Sequence, residues 1–464
     1  MSRSNAWSLS WWIERPVQSL LLHLGLALLA KYVPAAFALF VLLAFGTGLV
    51  DGFCHGGHRF GMYALYLAGL EVVYRMAGAP LLWELGKYLC IGLFLAGAFS
   101  GSRTGGRNPF LWYGLLLLPG IAWALWIGHP DSGFLRRQLL FSMTGPLVLV
   151  SAGWFFWNRR YSLPDLQALL QAAVWPAVTL VALLFMGHSL SDIQWDATSS
   201  HEASGGYGPN QVATVLGWFM VVLAFALLHR LPLTYNRTTD LLLFGLCAFR
   251  GLLTFSRGGM VVAAAAILGP LLLVPFFSPA FRRRFFRLAW QLTLVSLVLG
   301  GIFIGVDRLT NHYLYYRYAG KSNSEILYGN NPNRTFFSSR ELVLQHELAA
   351  FAAQPWMGVG AGRGNMYRTA VFHFPHASHN ELSRLLAEHG LAGLFIVFAF
   401  HMLLPLVRFF RLKTGLNKHW FLLFFLLAEL TMAHSAMRLA LTGAAFGLAF
   451  TLIIPERNDP VRRQ

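Results

Sequence analysis

Charge is what this sequence has least of. Aspartate, glutamate, lysine and arginine make up 12% of 464 residues, against 56% hydrophobic residues. An ordinary soluble domain carries about a quarter charged residues, so that class is excluded. Cysteine is scarce too: Cys54, Cys90 and Cys247 are odd in number and scattered, which excludes a disulfide framework. No Asp-x-Asp pair could hold Mg²⁺ against a nucleotide sugar, and no Walker A motif occurs. The apolar segments carry few charges beyond Glu71, Arg75 and Glu429, which argues against a charge-lined path for ions or solutes. Paired half-helices broken by glycine or proline, expected of many secondary transporters, are not evident. The first residues lack a cleavable-signal pattern.

Apolar stretches are abundant instead, and the mean hydropathy is +0.54. Backbone groups inside hydrocarbon must satisfy one another, so such stretches form helices. The sequence therefore predicts an all-α, polytopic membrane protein of about 12–14 transmembrane helices. Residues 63–78 read as the weakest span, because Glu71 and Arg75 lie inside it, and an interfacial helix is the alternative there. Residues 1–306 read as a transmembrane bundle, 307–390 as a polar loop with short helices, and 391–464 as the last spans and a cytoplasmic tail.

The net charge of +17 gathers in short loops, where membrane topology and anionic lipids account for it without nucleic acid. Arg159 with Arg160, Arg230 with Arg237, Arg282 to Arg284 with Arg287, and Arg408 to Lys418 all mark cytoplasmic loops, and Arg462 and Arg463 put the C-terminus inside. This parity places 188–209, the turn at 256–258, the 307–390 loop and the turn at His434–Arg438 on the outer face. The outer loop is itself basic, which suggests an anionic ligand.

That loop ends in His373-Phe-Pro-His376-Ala-Ser-His379-Asn380-Glu381. Ser378 to Glu381 has the form of a capping box, so a helix is predicted to start at Ser378, with His379 in its first turn and Gly390 at its end. A helix N-terminus keeps imidazole neutral and attracts phosphate. The bland alternative is a histidine that merely packs there. His373, His376 and His379 could also be read as a metal cluster, but Pro375 breaks the helix that spacing needs, and no metal site is expected. The same holds for Cys54, His55 and His58. Ser256-Arg257-Gly258 lies between two apolar spans, where an arginine either snorkels or binds a ligand that glycine lets approach. Arg340 opens a predicted amphipathic helix to Gln354, with Leu344, Leu348 and Phe351 as its apolar face. Arg334, Arg363 and Arg368 read as solvated surface charges. The glycine-rich run from Gly358 to Gly364 lacks the strand and Lys-Ser/Thr of a phosphate loop and reads as a tight turn.

Four stretches resemble the bacterial O-antigen ligase and O-antigen polymerase superfamily. They are Gly205-Gly-Tyr-Gly-Pro209-Asn210, Ser256-Arg257-Gly258, Arg340 with Gln354-Pro355-Trp-Met-Gly358-Val-Gly360-Ala-Gly362, and His376-Ala-Ser-His379-Asn380-Glu381 with Glu388-His-Gly390. The resemblance covers roughly residues 205–410; the first two hundred residues are family-like in hydropathy alone. It implies a glycosyltransferase of the GT-C type in the bacterial inner membrane. Its donor would be a glycan on undecaprenyl diphosphate, used at the periplasmic face with no metal or cofactor and with inversion. In family terms His379 is the catalytic histidine and Arg257 and Arg340 bind the diphosphate; His376, Asn380, Glu381 and Asn210 are secondary candidates. Ser339 and Leu344 depart from the glycine and tryptophan that the family commonly has around that second arginine. A polymerase joining lipid-linked repeats is the first reading. A ligase acting on lipid A-core is the next, then a protein O-oligosaccharyltransferase, then a non-enzymatic transporter of lipid-linked glycan. A chain-length regulator would be a partner of the polymerase.

Overall fold

The computed structural model describes residue 9 and residues 14–100, 107–328 and 339–454. Arg334, Arg462 and Arg463 lie outside the described residues. The described chain is helical apart from one two-residue parallel pair. Its first helices are α1 (Pro16–Tyr32), α2 (Pro34–His55), α3 (His58–Met76), α4 (Leu85–Phe99), α5 (Phe110–Ile127) and α6 (Ser132–Phe156). Strand β1 (Arg160–Tyr161) precedes α7 (Leu163–Val174), α8 (Pro176–Phe185), α9 (Pro209–His229), α10 (Arg237–Leu253), α11 (Arg257–Phe277) and α12 (Pro279–Leu309). The polar loop holds α13 (Tyr313–Tyr318), α14 (Asn323–Tyr328), α15 (Ser339–Ala353) and α16 (Gly364–Phe372). Then come α17 (Glu381–Ile396), a π-helical turn (Val397–Leu403), α18 (Leu404–Arg411), α19 (Gly415–Ser435), α20 (Ala440–Ala449) and β2 (Leu452–Ile453), which pairs with β1.

Among the described residues seven candidate membrane spans are long and apolar enough to cross a bilayer. The joined α7–α8 pair counts as one of them, and α17 to α18 as another. Prolines open α1, α2, α8, α9 and α12, where their missing N–H forfeits no helical bond. The protein is thus a polytopic all-α membrane protein.

Most of residues 63–78 lie within the packed bundle rather than on its surface. Helix α3 is buried without interruption from Phe60 to Arg75. Its charges are consumed internally. Glu71 pairs with Arg75 at 2.5 Å and also accepts the N–H of Ala440, the first residue of α20, at 2.7 Å. Paired and capping charges lose the penalty that makes lone ones avoid a bundle. Buried charge is also less sparse than the sequence suggested: Lys87, Arg250 and Asp240 are buried as well. Helix α20 lies against α6 through Gly443 and Gly447, where a Cβ would stand 2.7 Å from Leu149 N and 2.6 Å from Ala152 C. Small residues four apart let two backbones touch.

Helix α15 is rotated from its predicted setting. Leu344 and Leu348 are exposed; Val343, Glu347 and Ala350 are buried. The cause is a polar contact that pattern counting scores the wrong way: Glu347 bonds Arg368 at 2.8 Å and Ser383 at 2.6 Å. Arg368, read as a surface charge, is 2% exposed.

At one end of the bundle the 188–209 segment, the start of α11, the polar loop and the α19–α20 turn meet. Arg317 donates to the carbonyls of Phe255 and Ala197 and to Ser199 Oγ, each at 3.1 Å. Ala436 N donates to the His379 carbonyl at 3.1 Å.

Candidate functional site

The site sits where those segments meet, and two inter-helix turns build its floor. Arg257 is the first residue of α11, and Ser256 before it donates from Oγ to Asn210 Oδ1 at 2.7 Å. Asn210 thus ties the start of α9 to that turn. At Gly258 a Cβ would fall 1.8 Å from His434 Cδ2, so only glycine lets that imidazole lie beside Arg257. His434 closes the last turn of α19, and its Nε2 is buried without a hydrogen-bond partner. Four residues on, Arg438 occupies the α19–α20 turn much as Arg257 occupies its own.

His379 faces this floor, but not as predicted. The cap of α17 is Asn380, whose Oδ1 accepts from Leu382 N at 2.9 Å and Ser383 N at 3.4 Å. Helix α17 begins at Glu381, so His379 precedes the cap rather than sitting in the first turn. Asparagine accepts from the second and third helical N–H groups as readily as serine does, and the S-x-x-E pattern does not distinguish them. Gly390 does not end the helix either; its φ of 57° kinks it, and the helix resumes beyond. The imidazole of His379 is nonetheless held neutral. Burial is the main cause, with Arg438 and Arg340 next, and together they push its pKa down to about 3.

Arg438 Nη2 donates to the Ser378 carbonyl at 3.2 Å and stands 3.5 Å from His379 Nδ1. Arg340, on the first turn of α15, is partly buried and its field reaches His379, His434 and Arg438. Arg257 in turn acts on Arg340, Arg317 and Tyr318. The fields of four arginines from four segments are therefore linked in a chain, with Arg438 and Arg340 acting on His379 and Arg257 acting on Arg340 and Arg317. Among the described residues, Arg317 and Arg438 bond carbonyls, a hydroxyl and an imidazole, and no carboxylate lies within ion-pair distance of Arg317, Arg340 or Arg438.

The secondary candidates take other roles. Glu381 is 1% exposed, pairs with Arg384 and accepts Met437 N at 3.3 Å. His376 is exposed, stacks on Phe374 and lends its carbonyl to Arg368 at 2.7 Å. His373 is exposed in the left-handed region. Among the described residues no three metal-binding side chains converge, at these histidines or at Cys54. Arg363 donates to the Gly128 carbonyl.

The glycine run is a cradle, though for a carboxylate of the protein itself. Gly358, Gly360 and Gly362 all have positive φ. Gly362 N and Gly364 N donate to Glu388 at 2.9 Å and 3.2 Å, and Ser142 and Arg384 complete its shell at 2.8 Å each. This clamp joins the polar loop to α17 and α6.

Arg317, His434 and Arg438 were missed by the motif reading. Arg438 was legible: topology parity places its turn beside Arg257, and both turns set an arginine between apolar helices. Arg317 sits in a tyrosine-rich stretch that carries no such signal.

Residues 242–398 match the family model described as O-antigen ligase. No curated protein and no solved structure matches the chain. The matched stretch contains Arg257, Arg317, Arg340 and His379, and it supports the O-antigen ligase and polymerase superfamily resemblance and glycosyltransferase- or ligase-like activity in general.

Proposed function

We propose that the protein transfers a glycan from undecaprenyl diphosphate to a sugar hydroxyl at the periplasmic face of the bacterial inner membrane. One observation carries this reading: a neutral imidazole, His379, stands beside Arg438 and within the field of Arg340, and among the described residues no carboxylate lies within ion-pair distance of those two arginines. That is the arrangement a base and a dianionic leaving group require together. The hydroxyl oxygen attacks the anomeric carbon while His379 takes its proton. The bond from that carbon to the diphosphate oxygen breaks, and the diphosphate departs with the electron pair. Arg257 and Arg340 receive it as bidentate forks, with Arg317 and Arg438 adding to the field. Arginines occupy the role a divalent cation plays elsewhere, so the reaction is expected to run in EDTA. A single displacement inverts the anomeric centre.

The acceptor is taken first to be another lipid-linked repeat, which makes the protein a polymerase. The ligase reading is favoured by the description of the matched family. Purified protein in nanodiscs, given lipid-linked oligosaccharide, should build a glycan ladder unaided. A band shift only when lipid A-core is added would establish the ligase instead. No product with either acceptor would overturn the glycosyltransferase reading.

A further inference from the structure

Three helices of the bundle, α1, α3 and α8, meet at their C-terminal ends around an open cavity of about 330 Å³. Its wall includes Ala30 and Lys31 from the last turn of α1, Met76 and Ala77 from the end of α3, and Leu183 and His188 at the end of α8. Gly205, left-handed at a φ of 69°, closes one side. His379 and the four arginines of the site do not line it.

The backbone makes this a place for a cation. A helix leaves its last four carbonyls without helical donors, and they point out of its C-terminal end. Each such end carries about half a negative charge, so three together amount to about −1.5. The fold answers part of this. Lys31 Nζ donates to the Met186 carbonyl, and the buried Arg250 donates from Nη2 to the Leu184 carbonyl at 3.0 Å. Both contacts fall on the end of α8. Among the described residues the carbonyls of Ala30, Met76 and Leu183 accept no hydrogen bond, because Val33 N turns to Leu29, Gly78 N to Arg75 and Gly187 N to Leu184. All three residues line the cavity, which therefore suits a cation that brings N–H donors of its own.

An anion is provided for beside it. Lys31 and His188 are exposed at the same cavity. A phosphate between them gains one ammonium and one imidazole N–H. Position supplies the third requirement. Helix α8 ends the candidate span 163–185, so the cavity opens where hydrocarbon gives way to headgroups. Leu28 and Tyr32 of α1 and Phe185 of α8 are exposed beside it and offer an apolar flank.

We propose that this cavity binds the headgroup of a phosphatidylethanolamine molecule from the surrounding leaflet. Its ammonium sits on the free carbonyls of α1, α3 and α8, its phosphate on Lys31 and His188, and its chains along Leu28, Tyr32 and Phe185. A primary ammonium fits where a quaternary one does not, because only N–H groups bond carbonyl oxygens. A phosphate without the amine leaves the helix ends unanswered. The inference is independent of the glycosyl-transfer reading.

The test uses the full chain in nanodiscs of equal parts phosphatidylethanolamine, phosphatidylcholine and phosphatidylglycerol with matched chains. Native mass spectrometry reads the lipid that stays on the released protein. Phosphatidylethanolamine should be retained about tenfold over each of the others, the scale of one charge-assisted hydrogen bond. Lys31→Gln and His188→Gln should each lower that preference about threefold or more, whereas Lys31→Arg, which keeps a cation for the phosphate, should preserve most of it. Ala77→Leu leaves every charge in place but fills the cavity, and should abolish the preference. Equal retention of the three lipids overturns the proposal. So does a preference for phosphatidylglycerol, which would mark an anion site made by Lys31 and His188 alone. An Ala77→Leu protein that retains phosphatidylethanolamine as the wild type does would place the headgroup elsewhere. Thermal unfolding checks that each variant is folded. If Ala77→Leu is not, the two glutamine variants decide, and wild-type preference in both overturns the proposal. Soluble phosphoethanolamine tests the chains: displacement of the lipid at equal concentration would make this a site for the free zwitterion and overturn the lipid assignment.

Discussion

Two regions around the polar loop treat charge in opposite ways. Glu388 is met by two backbone N–H groups, a serine and an arginine, and Glu347 by Arg368 and Ser383. Nearby in the fold, Arg340 and Arg438 act on His379, with no carboxylate at ion-pair distance from either among the described residues. A fold that buries charge for its own support must neutralise it, because a lone buried ion is costly. Cations gathered without counter-charge gain nothing for the fold. They become useful when an anion arrives. The paired region is read here as scaffold and the unbalanced one as site.

The comparison breaks most visibly at His379. His379→Ala should lower product formation by about 10²–10⁴-fold, the range for a positioned base, while lipid-linked donor still binds and thermal stability holds. His376→Ala should be far milder, since that ring is exposed and stacks on Phe374. A dead His376→Ala beside an active His379→Ala would mean the wrong histidine has been chosen.

On the paired side the sign reverses. Arg368→Met leaves Glu347 buried without its partner, and about 3–5 kcal/mol of stability should be lost. The double variant Glu347→Leu with Arg368→Met should recover much of it, because no buried charge is stranded. Thermal unfolding in nanodiscs measures both. A double variant no more stable than the single would place these residues in the chemistry instead.

Arginine replacement lies between these in size. Arg257→Ala and Arg340→Ala should each cost about 10²–10³-fold in kcat, as for loss of one donor to a developing anion, with unfolding unchanged. Arg257→Lys keeps the charge but loses the fork, so it should fall between wild type and alanine. Wild-type turnover by both alanine variants would remove the diphosphate assignment.

The two regions were not equally legible in sequence. Apolar runs announced the bundle because hydrocarbon leaves the backbone few options, and His379, Arg257 and Arg340 stood out by type and place. The paired region was misread throughout. Glu71 and Arg75 looked like defects in a span, Arg368 like a surface charge, and the face of α15 was assigned to Leu344 and Leu348. The common reason is that an ion's partner is distant in sequence. Glu388 and Gly362 are 26 residues apart, and Glu71 and Ala440 are 369 apart. Periodicity sees neighbours along a helix and is blind to partners across the fold. The cap of α17 failed for a local reason, since Ser378 and Asn380 compete for one task and only geometry chooses between them.

The smallest effect is the sharpest probe, because it reads the unbalanced charge directly. A general base works only when unprotonated, so activity is lost as pH falls through its pKa. In the free protein burial, Arg438 and Arg340 hold His379 near 3, so kcat/KM should show no acid limb from this group between pH 8 and 5. Bound diphosphate cancels the arginine field and lifts that pKa, so the limb in kcat must lie above the limb in kcat/KM. Removing one arginine acts in the same direction. A charge about 4 Å away is worth about 1–4 kcal/mol at effective dielectrics of 80 to 20, and 1.36 kcal/mol corresponds to one pH unit, so Arg438→Gln should move the kcat/KM limb up by about one unit or more. Arg368→Gln, which bonds the His376 carbonyl and Glu347 rather than the imidazole, should leave the limb where it is in whatever protein remains folded. An Arg438→Gln profile superimposed on wild type would show that the arginines do not set the state of His379, and the contrast between the two regions would lose its chemical meaning.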